Sequence, residues 1–322
     1  MSPDLFPWRG DNLTERSHFR PVETPRSEQL DLFADNRRTI WLNQAHGALG
    51  CLDLTGAMAF YDRIVQAGPD DRGIRDEGAL VVGWQERLGR YGESDRSVVE
   101  IHELYRELTA TIPSPLRIAL LELMMEEISA LEAPELLFIP PRFHPGLLCF
   151  ELGRYDEARE WFGRALAAGI QPAGRFLAYQ GDALFLLGDR EEARELYREA
   201  FLAGPLAVDL PHLADPAMGE LISHGESEAD EPEELLPWLA AWGWLRELFT
   251  LESGEPGSDL SVVHEFTEEG EGETAPRLWF QYLRQAEFLR GSSGDDRELI
   301  RARRRLKELN GELFRRYMEK IK

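Results

Sequence analysis

Apolar residues recur along most of this chain at intervals of three and four. Residues at that spacing share one face of a helix, so each apolar stripe predicts a helix with one buried side. The stripes cover residues 27–48, 73–91, 94–111 and 114–131. Alternation typical of a strand is weak and is confined to residues 260–266. The pattern therefore predicts an all-α chain.

The pattern weakens after Pro205 but remains helical. A short helix is predicted over 215–223, followed by an acidic run and by an aromatic-rich helix over 233–251 that contains Trp238, Trp242, Trp244 and Phe249. Residues 252–275 are rich in Gly, Glu and Ser, which predicts a mobile acidic loop. Two helices, over 276–290 and 295–321, close the chain, and the last is predicted to cap the fold.

Between Phe143 and Pro205 the same residue types return at a fixed interval. Gly146, Gly153, Ala158, Phe162 and Ala165 are matched by Gly181, Gly188, Ala193, Tyr197 and Ala200, and every pair is 35 residues apart. A constant offset of this kind is an internal repeat. Small residues let two helices cross closely, and large ones fill the space between neighbouring hairpins.

This pattern resembles the tetratricopeptide repeat, a helix–turn–helix unit. The resemblance covers residues 139–205 and, more distantly, 38–69, where Trp41, Ala57 and Tyr61 take the large, small and aromatic positions and Thr55 and Gly56 fall in the turn. It implies a right-handed solenoid of antiparallel helix pairs with a C-terminal capping helix. We divide the chain into an extended arm (1–26), helical repeats (27–205) and a helical C-terminal region (206–322).

In this family the first helix of each repeat lines a concave groove that holds a partner peptide or helix. Carried over by position, the resemblance implies that the partner-binding residues are Phe143, Leu147 and Phe150 in one repeat and Arg175, Tyr179, Asp182 and Phe185 in the next, with His144, Ala178 and Leu186 beside them. In the N-terminal copy the positions are Leu42, Asn43 and His46. The chain is then a non-catalytic protein-binding scaffold.

The groove is expected to be apolar and aromatic. One subset of the family binds the C-terminal carboxylate of chaperones with Lys and Asn, but only Asn43 matches that set, because Leu42 and Phe143 stand at the lysine positions. Phe143, Phe150, Tyr179 and Phe185 instead favour a partner helix or peptide with apolar side chains. The alternative is that these aromatic residues belong to the core.

The formal net charge of −23 limits the partners that the chain can bind. A field of that sign repels phosphate backbones and favours basic partners, so we do not expect nucleic acid as a ligand. Residues 297–322 are the exception, with ten Lys and Arg against four Asp and Glu. We expect this basic helix to balance the acidic repeats, with an acidic partner or nucleic acid as alternatives.

The remaining features predict a cytoplasmic protein without cofactors or metals. No secretory segment or bilayer-spanning apolar run is present, and the two cysteines, Cys51 and Cys149, are expected to be buried free thiols. Phosphate-binding, dinucleotide, zinc and nucleophile motifs are all missing. An enzyme would need a site that these motifs do not reveal, and the aromatic region 238–249 is the candidate for it.

A second function is suggested near the N-terminus. Gln29, Leu30, Leu32 and Phe33, with Asp31 between them, look like the pentapeptide by which bacterial replication and repair proteins dock on the sliding clamp. A DNA-replication or repair accessory is therefore the alternative function. The competing interpretation is that Leu30 and Phe33 are buried in the first turns of the first helix.

Overall fold

A computed structural model describes residues 27–68, 71–94, 96–108, 111–228, 235–251, 271–291 and 296–322, with the side chains of 27–35, 225–228 and 271–274 left out. The predicted arm, the strand-like run 260–266 and most of the predicted acidic loop lie outside these residues. Within them the chain is helical, and an isolated antiparallel bridge between Ile139 and Phe143 is the one β pairing. The all-α prediction is confirmed.

The chain divides into two compact units, one up to Gln85 and the other from Glu86. The first contains α1 (Ser27–Gly50), α2 (Leu54–Ala67) and the first part of α3 (Arg72–Gly92). Helices α1 and α2 pack as a hairpin. Ala57 and Tyr61 are buried, as their repeat positions predict, whereas Trp41 is half-buried. Ala45, which stands where the two clear repeats have a glycine, is also buried. The predicted boundaries at residues 26 and 205 stay predictions.

The turn of this first hairpin differs from the prediction. It lies at Cys51–Asp53, where Leu52 has a φ of +57° and the Asp53 carboxylate accepts a hydrogen bond from the Gly56 amide at 2.8 Å. Because Asp53 caps α2, Thr55 and Gly56 belong to the first turn of that helix. Cys51 is exposed in this turn, so its predicted burial is wrong, whereas Cys149 is buried.

The second unit contains eleven further α-helices in the part of the chain that the structure describes. They are α4 (Val98–Arg106), α5 (Ser114–Ser129), α6 (Pro145–Glu151), α7 (Tyr155–Ala167), α8 (Ala173–Leu187), α9 (Arg190–Ala203), α10 (Pro216–Glu228), α11 (Leu239–Leu245), α12 (Glu271–Gly291), α13 (Asp296–Leu309) and α14 (Gly311–Lys320). Helix α4 starts later than residue 94 because Ser97 and Glu100 form a capping box.

The two repeated hairpins are α6–α7 and α8–α9, and their glycines sit where the helices touch. A Cβ on Gly146 would lie 2.5 Å from the Phe162 ring, and one on Gly181 would lie 3.0 Å from the Tyr197 ring. Gly153 and Gly188, which follow the first helix of each hairpin, have φ values of +72° and +100°. Glycine reaches that region without strain, so the repeated glycines serve packing and turning.

The aromatic helix predicted over 233–251 is wrong as a single element. It consists of a short 3₁₀ turn and α11, which ends at Leu245. The chain then reverses, because Glu247 has a φ of +63° and the amides of Leu248 and Phe249 both donate to the Gly243 carbonyl. A Cβ on Gly243 would lie 2.2 Å from the Phe249 ring. Because glycine has no Cβ, the Phe249 ring can pack directly against this helix.

The basic closing helix is also two helices rather than one. Asn310 interrupts it, and its Oδ1 accepts a hydrogen bond from the Leu313 amide at 3.0 Å, which caps α14. Helix α13 packs on α12, and α14 packs on α11, so the two helices complete the core around Trp279. Their apolar stripe, including Ala302, Leu306, Leu313 and Tyr317, is buried as predicted.

Candidate functional site

The seven predicted partner-binding residues lie on or next to the first helices of the two repeated hairpins. Four side chains are buried, namely Phe143, Leu147, Tyr179 and Asp182. The other three, Phe150, Arg175 and Phe185, are half-buried. The structure therefore divides the set into four residues packed beneath the surface of α6 and α8 and three residues that reach that surface.

Phe143 packs inside the second unit rather than projecting from it. Its ring lies 5.0 Å from that of His102 and 5.1 Å from that of Tyr105, both on α4. The bridge between Phe143 and Ile139 fixes its backbone through two 3.0 Å hydrogen bonds. Phe143 therefore joins α4 to the first repeated hairpin.

His144, next to Phe143, caps α6. Its Nδ1 accepts a hydrogen bond from the Gly146 amide at 3.0 Å, and its Nε2 lies 3.2 Å from the Glu135 carbonyl oxygen. This arrangement requires a neutral ring with the proton on Nε2. Burial lowers the pKa of His144 to about 4, so the ring stays uncharged at neutral pH.

Three of the predicted groove residues on α8 hold another part of the same chain. The connecting segment (residues 204–215) follows α9 and contains two 3₁₀ turns. Arg175 Nε donates to the Ala207 carbonyl at 2.8 Å. Tyr179 donates to Asp209 at 3.4 Å, and Asp182 Oδ1 accepts from the Ala214 amide at 2.7 Å. This face of α8 therefore binds irregular polypeptide through both backbone and side-chain groups.

Asp182 is a buried carboxyl group on this face of α8. Its Oδ1 also accepts a hydrogen bond from the Tyr197 hydroxyl at 2.6 Å. Burial raises the pKa of Asp182 to about 7, because removal from water disfavours the ionised form more than the two hydrogen bonds favour it. The carboxyl group thus changes its protonation state close to neutral pH while it joins α8, α9 and the connecting segment.

Other residues complete this face, although the sequence did not single them out. Arg142 forms an ion pair with Asp209 at 3.1 Å and lies over the Tyr179 ring, and His212 lies 2.8 Å from the other oxygen of Asp209. These residues come from loops outside the 35-residue pattern. Periodicity gives no signal for such positions, so only their place in the fold identifies them.

Phe150 and Phe185 occupy the same repeat position, 35 residues apart, and both are half-buried. The Phe150 ring packs 5.7 Å from both Tyr155 and Phe162, and the guanidinium of Arg190 lies 5.5 Å from the centre of the Phe185 ring. By contrast, the matched pairs Ala158 and Ala193, Phe162 and Tyr197, and Ala165 and Ala200 are all buried. Phe150 and Phe185 therefore keep part of their surface exposed, whereas these other matched residues serve packing.

The three predicted groove residues of the N-terminal copy differ from one another in exposure and in contacts. Asn43 is exposed, Leu42 is half-buried, and His46 Nε2 lies 3.1 Å from Glu77 of α3. The backbone of Gln29 to Phe33 is helical within α1, but the side chains of that proposed clamp motif lie outside the described residues. The clamp hypothesis therefore stays a prediction.

The aromatic region 238–249 and the basic helices pack on each other. Trp242, Trp244 and Phe249 are buried, the Arg316 guanidinium lies 4.5 Å from the centre of the Trp242 ring, and Lys320 lies 5.3 Å from that of Trp244. Other basic residues of α13 and α14 pair with Glu308, Glu312 and Glu319 on the same two helices. These ion pairs balance charge within the two helices themselves.

The described residues contain no group of three or more His, Cys, Asp or Glu arranged to hold a metal ion. No helix in the described ranges is long and apolar enough to cross a membrane.

Two hairpins with the same small and aromatic contacts are thus stacked through α7 and α8. Residues 146–206 match the family model described as tetratricopeptide repeat. The chain carries a tetratricopeptide repeat region. Tetratricopeptide repeats generally mediate contacts between proteins and are typically non-catalytic. Comparison with curated proteins and with solved structures gave no match.

Proposed function

We propose that the chain is a non-catalytic, cytoplasmic scaffold that binds a peptide or helix of a protein partner across α6 and α8. The observation that carries this proposal is the pair Phe150 and Phe185, half-buried at the same position of successive tetratricopeptide repeats. Large aromatic side chains that keep part of their surface in contact with water are common anchors of protein interfaces. Arg175 lies on the same helix as Phe185 and is also half-buried.

The buried members of the predicted set have a different part in this proposal. Phe143, Leu147, Tyr179 and Asp182 hold the two first helices and the connecting segment in place, and so position the aromatic pair. The partner side chains would pack on Phe150 and Phe185, while Arg175 offers hydrogen bonds to partner carbonyl groups, as it does to Ala207. The net charge of −23 favours a partner with basic residues around its apolar contacts.

A phage-displayed library of linear peptides, selected on the full-length chain, tests this proposal. Selected peptides are then labelled, and their affinity is measured by fluorescence anisotropy for the wild type, Phe150→Ala, Phe185→Ala and the double variant. Loss of an interface anchor weakens binding about tenfold or more. Ile300→Ala is the matched control, because Ile300 is an exposed apolar residue on α13, away from the repeats.

Far-ultraviolet circular dichroism and thermal melting of each variant separate loss of binding from loss of fold. The proposal predicts weaker binding by variants that melt close to the wild type, together with unchanged binding by Ile300→Ala. It is wrong if no peptide is enriched, or if the enriched peptides bind Phe150→Ala and Phe185→Ala as tightly as they bind the wild type.

A further inference from the structure

The connecting segment (residues 204–215) lies across the face of α8 to which the repeat positions assign partner binding. Arg175, Tyr179 and Asp182 all contact it. Arg175 Nε donates to the Ala207 carbonyl at 2.8 Å, so it cannot donate to a partner carbonyl while this contact lasts. The segment and a partner peptide therefore compete for the same group on α8.

Both ends of the connecting segment are fixed. A Cβ on Gly174, at the start of α8, would lie 2.7 Å from the Gly204 carbonyl oxygen, so the two backbones are in close contact. At the other end Asp215 is 3% exposed, and its carboxylate accepts a hydrogen bond from Arg194 Nε at 3.0 Å. A local opening of the segment is therefore confined to residues 205–214.

Few apolar contacts hold the stretch between these ends. Of residues 206–214, Val208 alone is buried, and Leu206 is 64% exposed. The backbone of the stretch closes local turns, as in the 3.0 Å hydrogen bond from the His212 amide to the Asp209 carbonyl. A segment with little buried apolar surface opens at a lower free energy than the helices beneath it.

The carboxylate of Asp209 is the main polar attachment of the stretch. It pairs with Arg142 at 3.1 Å, accepts from the Tyr179 hydroxyl at 3.4 Å and lies 2.8 Å from His212 Nδ1. Arg142 belongs to the loop before α6, and Tyr179 belongs to α8. A single side chain thus joins the segment to two parts of the face, so its removal should loosen the segment without altering the aromatic pair.

Asp182 lies beneath the closed segment and is 5% exposed. Burial is the main cause of its raised pKa, and the negative charge of Asp209 adds to it. The Ala214 amide, the Tyr197 hydroxyl and Arg142 act in the opposite direction. Release of the segment admits water to the carboxyl group, which favours its ionised form. Opening is therefore linked to the loss of a proton.

We propose that the connecting segment is an autoinhibitory contact, which occludes α8 while it is closed and admits the partner peptide when it is released. This inference rests on the proposed function, because the partner is taken to bind across α6 and α8. The apparent affinity for the partner is then reduced in proportion to the fraction of chains whose segment is released.

The linkage to Asp182 gives this contact a pH dependence of known sign. The pKa of Asp182 is about 7 with the segment closed, and about 4 is usual for a hydrated aspartate. Between these values release of the segment also releases a proton, so it becomes easier as pH rises from about 4 to about 7. Above that range both states are ionised, and pH has no further effect through Asp182.

Two variants that break the same ion pair test the occlusion. Asp209→Ala and Arg142→Ala change the net charge in opposite directions, yet both should raise the affinity for the phage-selected peptides about threefold or more. Glu220→Ala is the control, because it removes an exposed carboxylate on α10 and should leave the affinity unchanged. The pair of variants keeps the test decisive if one of them fails to fold.

Hydrogen exchange of the full-length chain without peptide tests the release itself. Mass spectrometry should show faster exchange of residues 205–214 in Asp209→Ala than in Glu220→Ala. Comparison of the wild type with Asp182→Asn at each pH cancels the intrinsic pH dependence of exchange. The ratio of the two rates should rise about tenfold or more between pH 5.5 and pH 7.5, because Asn cannot ionise. A constant ratio would overturn the proposal.

The remaining outcomes separate this proposal from the proposed function. It is overturned if Asp209→Ala exchanges in residues 205–214, or binds the selected peptides, no differently from Glu220→Ala. Weaker binding by Phe150→Ala and Phe185→Ala would still support the proposed function in that case. If the wild type enriches no peptide, the selection is repeated on Asp209→Ala. Enrichment on that variant alone supports the autoinhibitory contact, and none on either protein overturns both proposals.

Discussion

The Tyr197 hydroxyl donates a 2.6 Å hydrogen bond to Oδ1 of Asp182, the oxygen that also accepts from the Ala214 amide at 2.7 Å. One buried carboxyl group thus joins the two helices of a repeat to the segment that leaves it. The arrangement makes the stability of this region depend on the protonation state of Asp182.

Replacing Asp182 with Asn should remove a penalty that grows with pH. The pKa of Asp182 is about 7 in the folded chain, and about 4 is usual for an unfolded one. Between these values the folded state retains a proton that the unfolded state has lost, so the free energy of unfolding falls as pH rises from about 4 to about 7. Relative to wild type, Asp182→Asn should gain roughly 2–4 kcal/mol between pH 4 and pH 8.

Urea unfolding of both proteins at intervals across this pH range measures the difference. Because Asn retains a carbonyl oxygen, it can still accept from Tyr197 and Ala214, and the comparison isolates the ionisation. Parallel stability curves for the two proteins would show that Asp182 does not titrate in this range.

His144 should give a pH dependence of the opposite sign. Burial lowers its pKa to about 4 from the usual value near 6.5, so acid favours the unfolded chain, which binds the proton more readily. The free energy of unfolding should fall as pH drops from about 6.5 to about 4.

His144→Asn tests this expectation, because Asn can still cap α6 but cannot become charged. The variant loses ring contacts with Phe162 and Phe176, so it should be less stable at pH 8, yet its stability should change less between pH 7 and pH 4. The measurement is the slope of unfolding free energy against pH, and equal slopes for variant and wild type would contradict the expectation.

Gly146→Ala should destabilise the second unit by overpacking. The added methyl group would lie 2.5 Å from the Phe162 ring, which is itself buried, so helix α6 or the ring must move. Overpacking of this kind typically costs about 1–3 kcal/mol. Gly219→Ala on α10 is the control, because among the described residues nothing beyond the local helix backbone and the adjacent residues lies within 4 Å of its added Cβ.

Chemical unfolding should place Gly146→Ala below the wild type and Gly219→Ala level with it or above it, since alanine favours helices over glycine by about 0.5–1 kcal/mol. The same change in both variants would mean that helix propensity, rather than the contact with Phe162, decides the outcome.

Asn310→Ala should weaken the junction between α13 and α14. The substitution removes the oxygen that accepts from the Leu313 amide, and loss of an N-cap typically costs about 1 kcal/mol. Asn310→Asp keeps an oxygen at the cap and should retain most of the stability. Thermal melting of the three proteins ranks them, and an Asn310→Ala protein as stable as the Asp variant would contradict the assigned cap.

The positions of the repeat could be predicted from the chain alone because their spacing follows from local geometry. Gly146 and Gly181 had to be small where helices cross, and Ala158 and Ala193 repeat the same constraint, so a 35-residue offset is visible in the residues themselves. The points at which long helical stretches are interrupted were less predictable. Asn310 falls within a continuous apolar stripe, and the break follows from its side chain capping the next helix.

The sequence by itself determined the helical class, the repeated hairpins and the positions at which their helices cross, because these depend on contacts between residues close in the chain. Tertiary structure alone decided that Phe150 and Phe185 reach the surface while Phe143 and Tyr179 are buried. It also placed the connecting segment across α8, where Arg175 and Asp182 contact it. Burial and convergence depend on distant segments, and helical periodicity carries no information about which segment will cover a face.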